Sequence, residues 1–197
     1  MAPAGVTEAK AALRRQLAQL PRPDWSPLLE RFLSLPEVDR ARTVLLFYGV
    51  GREPDTRGLI TTLLQRGKTV VLPRCLPRRQ MEARCVTGLD DLTPGSFQIP
   101  EPGEHCPAID RAEIDLILVP NLCCDRLCYR LGHGGGYYDR YLAGYTGVTV
   151  ALCPEARLQE RLPRDEYDLP VGLVLTETET RRETISPAPH PEESAVK

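Results

Sequence analysis

TVLLFYGV at residues 43–50 is a near-continuous apolar run, and EIDLILVP at 113–120 is apolar throughout from Leu116. A strand with one wet face alternates apolar and polar residues, so such runs suit strands covered on both faces. Such strands belong to parallel sheets, whose crossover helices lie above and below. The neighbouring sequence supplies one such crossover. DTRGLITTLLQRG (55–67) carries a helical pattern that stops at its glycine, and TVVLP (69–73) is a second short apolar strand. Strand, helix and strand with short links read as a parallel unit. Further strands are predicted at 81–86, 148–152 and 172–175, with a helix from Tyr137 to about Ala143 and a helical turn in PEARLQERL (154–162). The Pro- and Gly-rich stretch 93–107 reads as a long loop. The fold class that follows is α/β, with a doubly wound, mostly parallel, Rossmann-like three-layer sheet.

Helices precede the first strand. TEAKAALRRQLAQL (7–20) is rich in strong helix formers, with Thr7 as its cap and Pro21 and Pro23 as its stop. Leu13, Leu17 and Leu20 share one face, while Lys10 and Arg14, four apart, share another. A second amphipathic helix is expected from about residue 25 to 35. The sheet thus carries an N-terminal helical extension. RRETISPAPHPEESAVK, residues 181–197, has few core-forming residues and reads as a disordered tail. Residues 1–180 are expected to form a single domain, a reasonable size for one core.

Composition narrows the function. A formal net charge of -2 leaves no basic field, so nucleic acid is not an expected partner. No apolar run is long enough for a membrane span, and MAPAGVTEAK lacks the apolar core of a signal peptide, so a cytoplasmic protein without a membrane partner is expected. Seven cysteines, an odd number, suggest reduced thiols. Cys123, Cys124 and Cys128, with His133 nearby, suggest zinc at first sight. Their spacing matches no common ligand pairing, so buried or loop thiols are expected instead.

The stretch RLGHGGGYYDRY, residues 130–141, asks for a chemical reason. Four of the five residues from 132 to 136 are glycine, directly after the strongest strand signal. Glycine loses the most conformational entropy on folding and packs nothing. Yet the carboxyl ends of strands are where open α/β sheets bind ligands. A Gly-rich turn feeding a helix presents N–H groups and the positive end of a dipole, which favours an anion. Arg130 and His133 add donor side chains. Asp139, one turn into the helix, would repel a phosphate unless a divalent metal lay between them. The pattern is neither the Walker loop nor the GxGxxG fingerprint, and a tight structural turn is the competing reading.

The longer segment LILVPNLCCDRLCYRLGHGGGYYDRYL resembles the signature of the 5-formyltetrahydrofolate cyclo-ligase family, also called methenyltetrahydrofolate synthetases. The resemblance continues in Lys10 and Arg14 of the first helix, FYGVGREPDTRGLI, GKTVVLPR, GSFQIPEP and LPRDEYDLPVGLVLTE. It implies an ATP- and Mg2+-dependent ring closure of 5-formyltetrahydrofolate to 5,10-methenyltetrahydrofolate. The formyl oxygen attacks the γ-phosphate, the anilino nitrogen attacks the activated carbon, and ADP and phosphate are released. By the family pattern, Lys10 and Arg14 hold the triphosphate. Arg130 and the backbone of Leu131, Gly132, His133, Gly134, Gly135, Gly136, Tyr137 and Tyr138 wrap ATP. Arg130, Gly134, Gly135 and Gly136 take part in the transfer itself. Asp139 and Asp168 serve the metal, while Tyr48 and Glu53, with Gly134, Gly135 and Tyr138, face the folate. The implied partner is a small folate, with or without a polyglutamate tail, acted on by a monomer. The chain departs from the pattern at Tyr167, where the family has His, at Val171, where it has an acid, and at His133.

Each residue has a plainer reading. Lys10 and Arg14 could form a solvated helix face, Glu53 and Asp55 could cap the following helix, Tyr137 and Tyr141 could simply pack, and Asp168 could be an ordinary turn residue. Two other functions remain in play: a non-catalytic nucleotide or folate binder of the same fold, and an unrelated small-molecule kinase. Joint retention of Lys10, Arg14, Glu53, Asp139 and Asp168 favours the enzyme over the binder.

Overall fold

The computed structural model describes residues 4–183. Helix α1 (Ala4–Gln19) is followed by α2 (Ser26–Leu33) and α3 (Pro36–Arg40), then by β1 (Thr43–Leu45), α4 (Arg57–Gln65) and β2 (Thr69–Leu76). Next come β3 (Gln80–Val86), β4 (Leu92–Pro94), β5 (Pro100–Pro102), β6 (Ala108–Ile109) and β7 (Leu116–Leu118). The short pair β8 (Cys123–Cys124) and β9 (Arg130–Leu131) leads to α5 (Tyr137–Leu142), β10 (Val148–Leu152), β11 (Leu173–Leu175) and β12 (Thr180–Arg182).

The main sheet has eight strands in the order β12-β11-β10-β7-β1-β2-β3-β6. Its centre, from β11 to β2, is parallel, and β12, β3 and β6 extend it antiparallel on both sides. This is the α/β doubly wound architecture expected of the apolar runs. Alternate residues of each central strand go to opposite faces. Val44, Val70, Leu116, Val150 and Leu173 meet Leu28, Phe32, Ile60 and Leu63 of α2 and α4. Leu45, Val71, Ile117, Ala151 and Val174 meet Leu142 of α5 together with Cys124 and Cys128. Both faces being dry explains why the strands read as continuous apolar runs. A smaller cluster joins Leu17 of α1 to Cys123, Leu131 and Leu162, fixing the N-terminal helix against the β8–β9 pair.

Several expectations need correction. Thr7 lies inside α1 and does not cap it. The expected helix at 25–35 stops at Leu33, and Pro36 opens a separate short helix. Residues 93–107 are not all loop, because β4 and β5 pair antiparallel within them. The helical turn expected in PEARLQERL is present as a 3-10 turn at Glu155–Arg157. Beyond that turn, Gln159 bonds through its backbone to Cys124 and Arg126, which pulls the segment extended against its local helical pattern. The tail does not begin at Arg181: β12 pairs Arg182 with Leu173, and Arg182 meets Glu37 at 2.7 Å. The rest of the expected tail, from 184, lies outside the described residues. All seven cysteines are free thiols, and Cys123, Cys124 and Cys128 are buried in the core, in keeping with their spacing. Among the described residues no helix is long and apolar enough to cross a membrane.

Candidate active site

The central strand order β2-β1-β7-β10-β11 reverses direction of travel between β1 and β7. Loops leaving the carboxyl ends of two such strands diverge and open a crevice, the usual place for a ligand. Here the β1 loop carries Tyr48 and Glu53, and the chain after β7 leads through β8–β9 to the glycine loop. Both line one cleft of about 1240 Å3. That exceeds the roughly 300–1,000 Å3 of a site for one small molecule and leaves room for two. Lys10 and Arg14 of α1 and Asp165 and Asp168 from the segment before β11 complete the wall.

In the glycine loop, Gly134 (φ +98°) and Gly136 (φ +68°) adopt left-handed backbone that other residues enter only under strain. Gly136 holds the position just before α5. Gly135 does not need such a backbone; a Cβ there would instead lie 2.9 Å from the Tyr137 ring. Two guanidinium groups brace the loop. Arg14 Nε donates to Gly132 O at 2.9 Å, and Arg140 Nη1 donates to Gly136 O at 2.9 Å. Arg130, whose side chain is only 4% exposed, donates from Nη2 to Asp139 Oδ1 at 2.8 Å. Its buried Nε has no partner, and its guanidinium lies 5.9 Å from the Tyr138 ring centre. The buried Tyr138 hydroxyl is also unpartnered, and desolvation pushes its pKa far above the ordinary phenol range.

Lys10 is not on a solvated face. Its Nζ lies 2.5 Å from Asp168 Oδ2 and 3.0 Å from Asp165 Oδ2, with all three side chains less than a fifth exposed. Burial alone would lower the lysine pKa, but the hydrogen bonds and charges of Asp168 and Asp165 outweigh it and raise the value. The Lys10 hydrogen bond in turn holds Asp165 below the usual carboxylate range. Asp168 Oδ2 also accepts the Asp165 N–H at 2.7 Å, so the turn itself orients the carboxylate that Lys10 meets.

Glu53 does not cap α4. Thr56 stands at that position, and its hydroxyl accepts from Gly49 N–H. Glu53 Oε2 accepts the Val50 N–H at 3.0 Å, while Oε1 lies 3.7 Å from His133 Nδ1. The turn that places it requires Gly49, where a Cβ would fall 1.8 Å from Pro54 O. Asp55, by contrast, pairs locally with Arg57 on the surface.

The structure therefore brings Lys10, Arg14, Tyr48, Glu53, the whole run from Arg130 to Asp139, and Asp168 to one cleft. Tyr141 packs against the core below it, in line with its plainer reading. Of the departures, Tyr167 is on the exposed rim, and Val171 is buried in the core rather than facing the cleft. Sequence reasoning missed Asp165 and Arg140. Asp165 stands three residues before Asp168 and Arg140 four after Gly136, spacings visible in the sequence but common in turns and short helices.

The donors suit the expected groups. Asp139 and Asp168 offer hard oxygen ligands of the kind Mg2+ takes, each beside a cation that a metal could replace. The unpartnered Arg130 Nε suits a phosphate oxygen, as does the bare backbone at Gly134, with the Arg14 guanidinium 3.4 Å from where a Cβ would stand.

The sequence pattern of the 5-formyltetrahydrofolate cyclo-ligase family matches residues 6–177. The chain is 33% identical over 190 residues to the 5-formyltetrahydrofolate cyclo-ligase of Mycolicibacterium smegmatis, covering 89% of this chain and 95% of that one. It is 32% identical over 155 residues to the Escherichia coli K12 protein of the same name, covering 74% and 84%. Among solved structures it is similar to the NMR structure of Aquifex aeolicus 5,10-methenyltetrahydrofolate synthetase, with a TM-score of 0.79, 29% identity, and coverage of 96% of this chain and 99% of that one.

Proposed function

The chain belongs to the 5-formyltetrahydrofolate cyclo-ligase family, and from that premise we propose that its cleft converts 5-formyltetrahydrofolate to 5,10-methenyltetrahydrofolate with ATP as phosphoryl donor and Mg2+ as the metal. The observation that carries the reading is the meeting, in one cleft large enough for two ligands, of a cation-braced glycine loop and a separate half-buried glutamate.

Bound ATP would supply the phosphoryl group that makes the formyl oxygen a leaving group. Phosphoryl transfer asks the protein chiefly for alignment and charge neutralisation. Arg130, Arg14 and the loop backbone from Leu131 to Tyr138 align and neutralise the phosphates. Lys10 turns from its aspartates to the triphosphate, while Asp139 and Asp168 would hold the metal. Glu53 accepts from the N–H donors of the pterin ring. Tyr48 lines the same side, and Tyr138 closes the floor against water. Arg79, exposed where β2 turns into β3, lines the rim and offers a cation to the carboxylates of a glutamate tail. The free thiols fit action in the reducing cytosol.

With 5-formyltetrahydrofolate, ATP and Mg2+, the methenyl absorbance band should grow with one ADP and one free phosphate per product. Free phosphate in that ratio also rules out the small-molecule kinase, which would leave phosphate on a stable acceptor. Product at full rate without nucleotide or after chelation of the metal would sink the proposal.

Glu53→Gln tests the folate side. The amide keeps the oxygen that accepts the Val50 N–H but loses the charge. Folate affinity should fall roughly ten- to a hundredfold, the scale of one charge-assisted hydrogen bond, while ATP binding without folate and the melting temperature stay near the parent values. Earlier melting with normal folate binding would leave Glu53 a structural turn residue.

A further inference from the structure

A second cluster of ligand-type side chains lies away from the cleft wall just described. Asp91, His105 and Cys106 place one carboxylate oxygen, one imidazole nitrogen and one thiol sulfur within 4.8 Å of one another. His105 Nε2 is 3.2 Å from Asp91 Oδ1 and 3.6 Å from Cys106 Sγ. In a tetrahedral zinc centre, bonds of about 2.0–2.3 Å put neighbouring ligand atoms roughly 3.3–3.6 Å apart. These two edges lie close to that spacing.

The Cys106 thiol has Asp91 O as an acceptor at 3.9 Å, which leaves Nε2 to donate to Asp91 Oδ1. A cation among the three atoms would take the place of both protons.

The surroundings hold each group in place. Thr87 donates from its N–H at 2.6 Å and its hydroxyl at 2.8 Å to Asp91 Oδ2, leaving Oδ1 for His105. Gly103 lets the imidazole lie close, since a Cβ there would come within 2.6 Å of Nδ1. The backbone closes the same turn, with Gly103 N–H on Asp91 O at 3.0 Å and Cys106 N–H on Gly103 O at 3.1 Å. Cys106 is buried and His105 is exposed, so one side of the cluster is open to a water ligand.

We propose that Asp91, His105 and Cys106 form a site for a soft divalent cation, with Zn2+ the matching ion, that clasps the base of the β4–β5 arm. Asp91 immediately precedes β4, and His105 and Cys106 follow β5. The tip of that arm carries Phe97 and Ile99 to the cleft, so the clasp would steady one wall of the site. Binding forms a metal–sulfur bond and releases the Cys106 thiol proton to solvent.

The test titrates the full chain, with Mg2+ present in excess to occupy carboxylate sites, against Zn2+ in competition with a chromophoric chelator and against Co2+ by absorbance. Expected are one tight Zn2+ per chain and a near-ultraviolet thiolate-to-cobalt band that is lost in Cys106→Ser. His105→Ala, at an exposed position, should weaken Zn2+ roughly tenfold or more. Zn2+ should also slow amide hydrogen exchange across residues 92–102 in the parent but not in the variants. No thiolate band, or equal Zn2+ affinity in the parent and His105→Ala, would overturn the site. Tight binding without slower exchange would overturn the clasp.

Discussion

Gly135→Ala should slow ring closure on the order of 10²-fold while melting close to the parent, the loss expected when a preorganised donor no longer meets developing charge. Gly135 is the informative glycine because its backbone is not left-handed. A new Cβ meets the Tyr137 ring at 2.9 Å, so a side chain on the cleft wall must shift while the turn itself is unstrained. Gly134→Ala and Gly136→Ala differ, since both have positive φ and should also lose about 1 kcal/mol or more of stability. Asp139→Ala should lose rate through the proposed metal ligand and, unlike Gly135→Ala, stability as well, because it leaves the buried Arg130 guanidinium without its carboxylate. Melting temperature and single-turnover rate, measured for all four variants, separate a phosphate cradle from a mere turn. Rate falling in proportion to stability in every variant would leave only the turn.

Lys10→Met should weaken ATP binding by roughly 1.5–3 kcal/mol, the range for a hydrogen bond to a charged group. Unlike a lysine on a solvated face, this one should also cost stability, because two carboxylates lose their partner. The pH dependence has a definite sign. Asp165 is held below its ordinary value of 3.8, so its pairing contributes above that value and is lost as pH falls through the lower folded one. Lys10 is raised above 10.5, so its share is complete below that value and is lost only as pH climbs past the folded one. The difference in melting temperature between parent and Lys10→Met should therefore be full at neutral pH and close under acid. A difference that persists in acid would mean that Lys10 stabilises by packing alone.

The central sheet was legible because burial on both faces writes itself into TVLLFYGV and the LILVP of EIDLILVP as near-continuous apolar runs. The glycine loop was legible because so many glycines together have few structural uses. Pairings set by distant contacts left no local trace. Cys123 and Cys124 bond to Arg130 and Leu131 in two-residue strands too short for any period to show. Gln159 is drawn extended by Cys124 and Arg126 across the fold. The partners of Lys10 lie 155 and 158 positions away, so its charge was visible while its role in holding the Asp165 turn was not.

The ammonium of Lys10 on Asp168 has a thermodynamic consequence for the proposed complex. A divalent ion and the lysine contend for one carboxylate, whereas the triphosphate draws the lysine away and leaves that carboxylate free. Each ligand thus removes an obstacle to the other, and the coupling is reciprocal by necessity. The metal should bind the nucleotide-loaded protein more tightly than the empty one, and by the same factor the nucleotide should bind the metal-loaded protein more tightly. Cooperativity between the two would then be stored in a single side chain of the first helix.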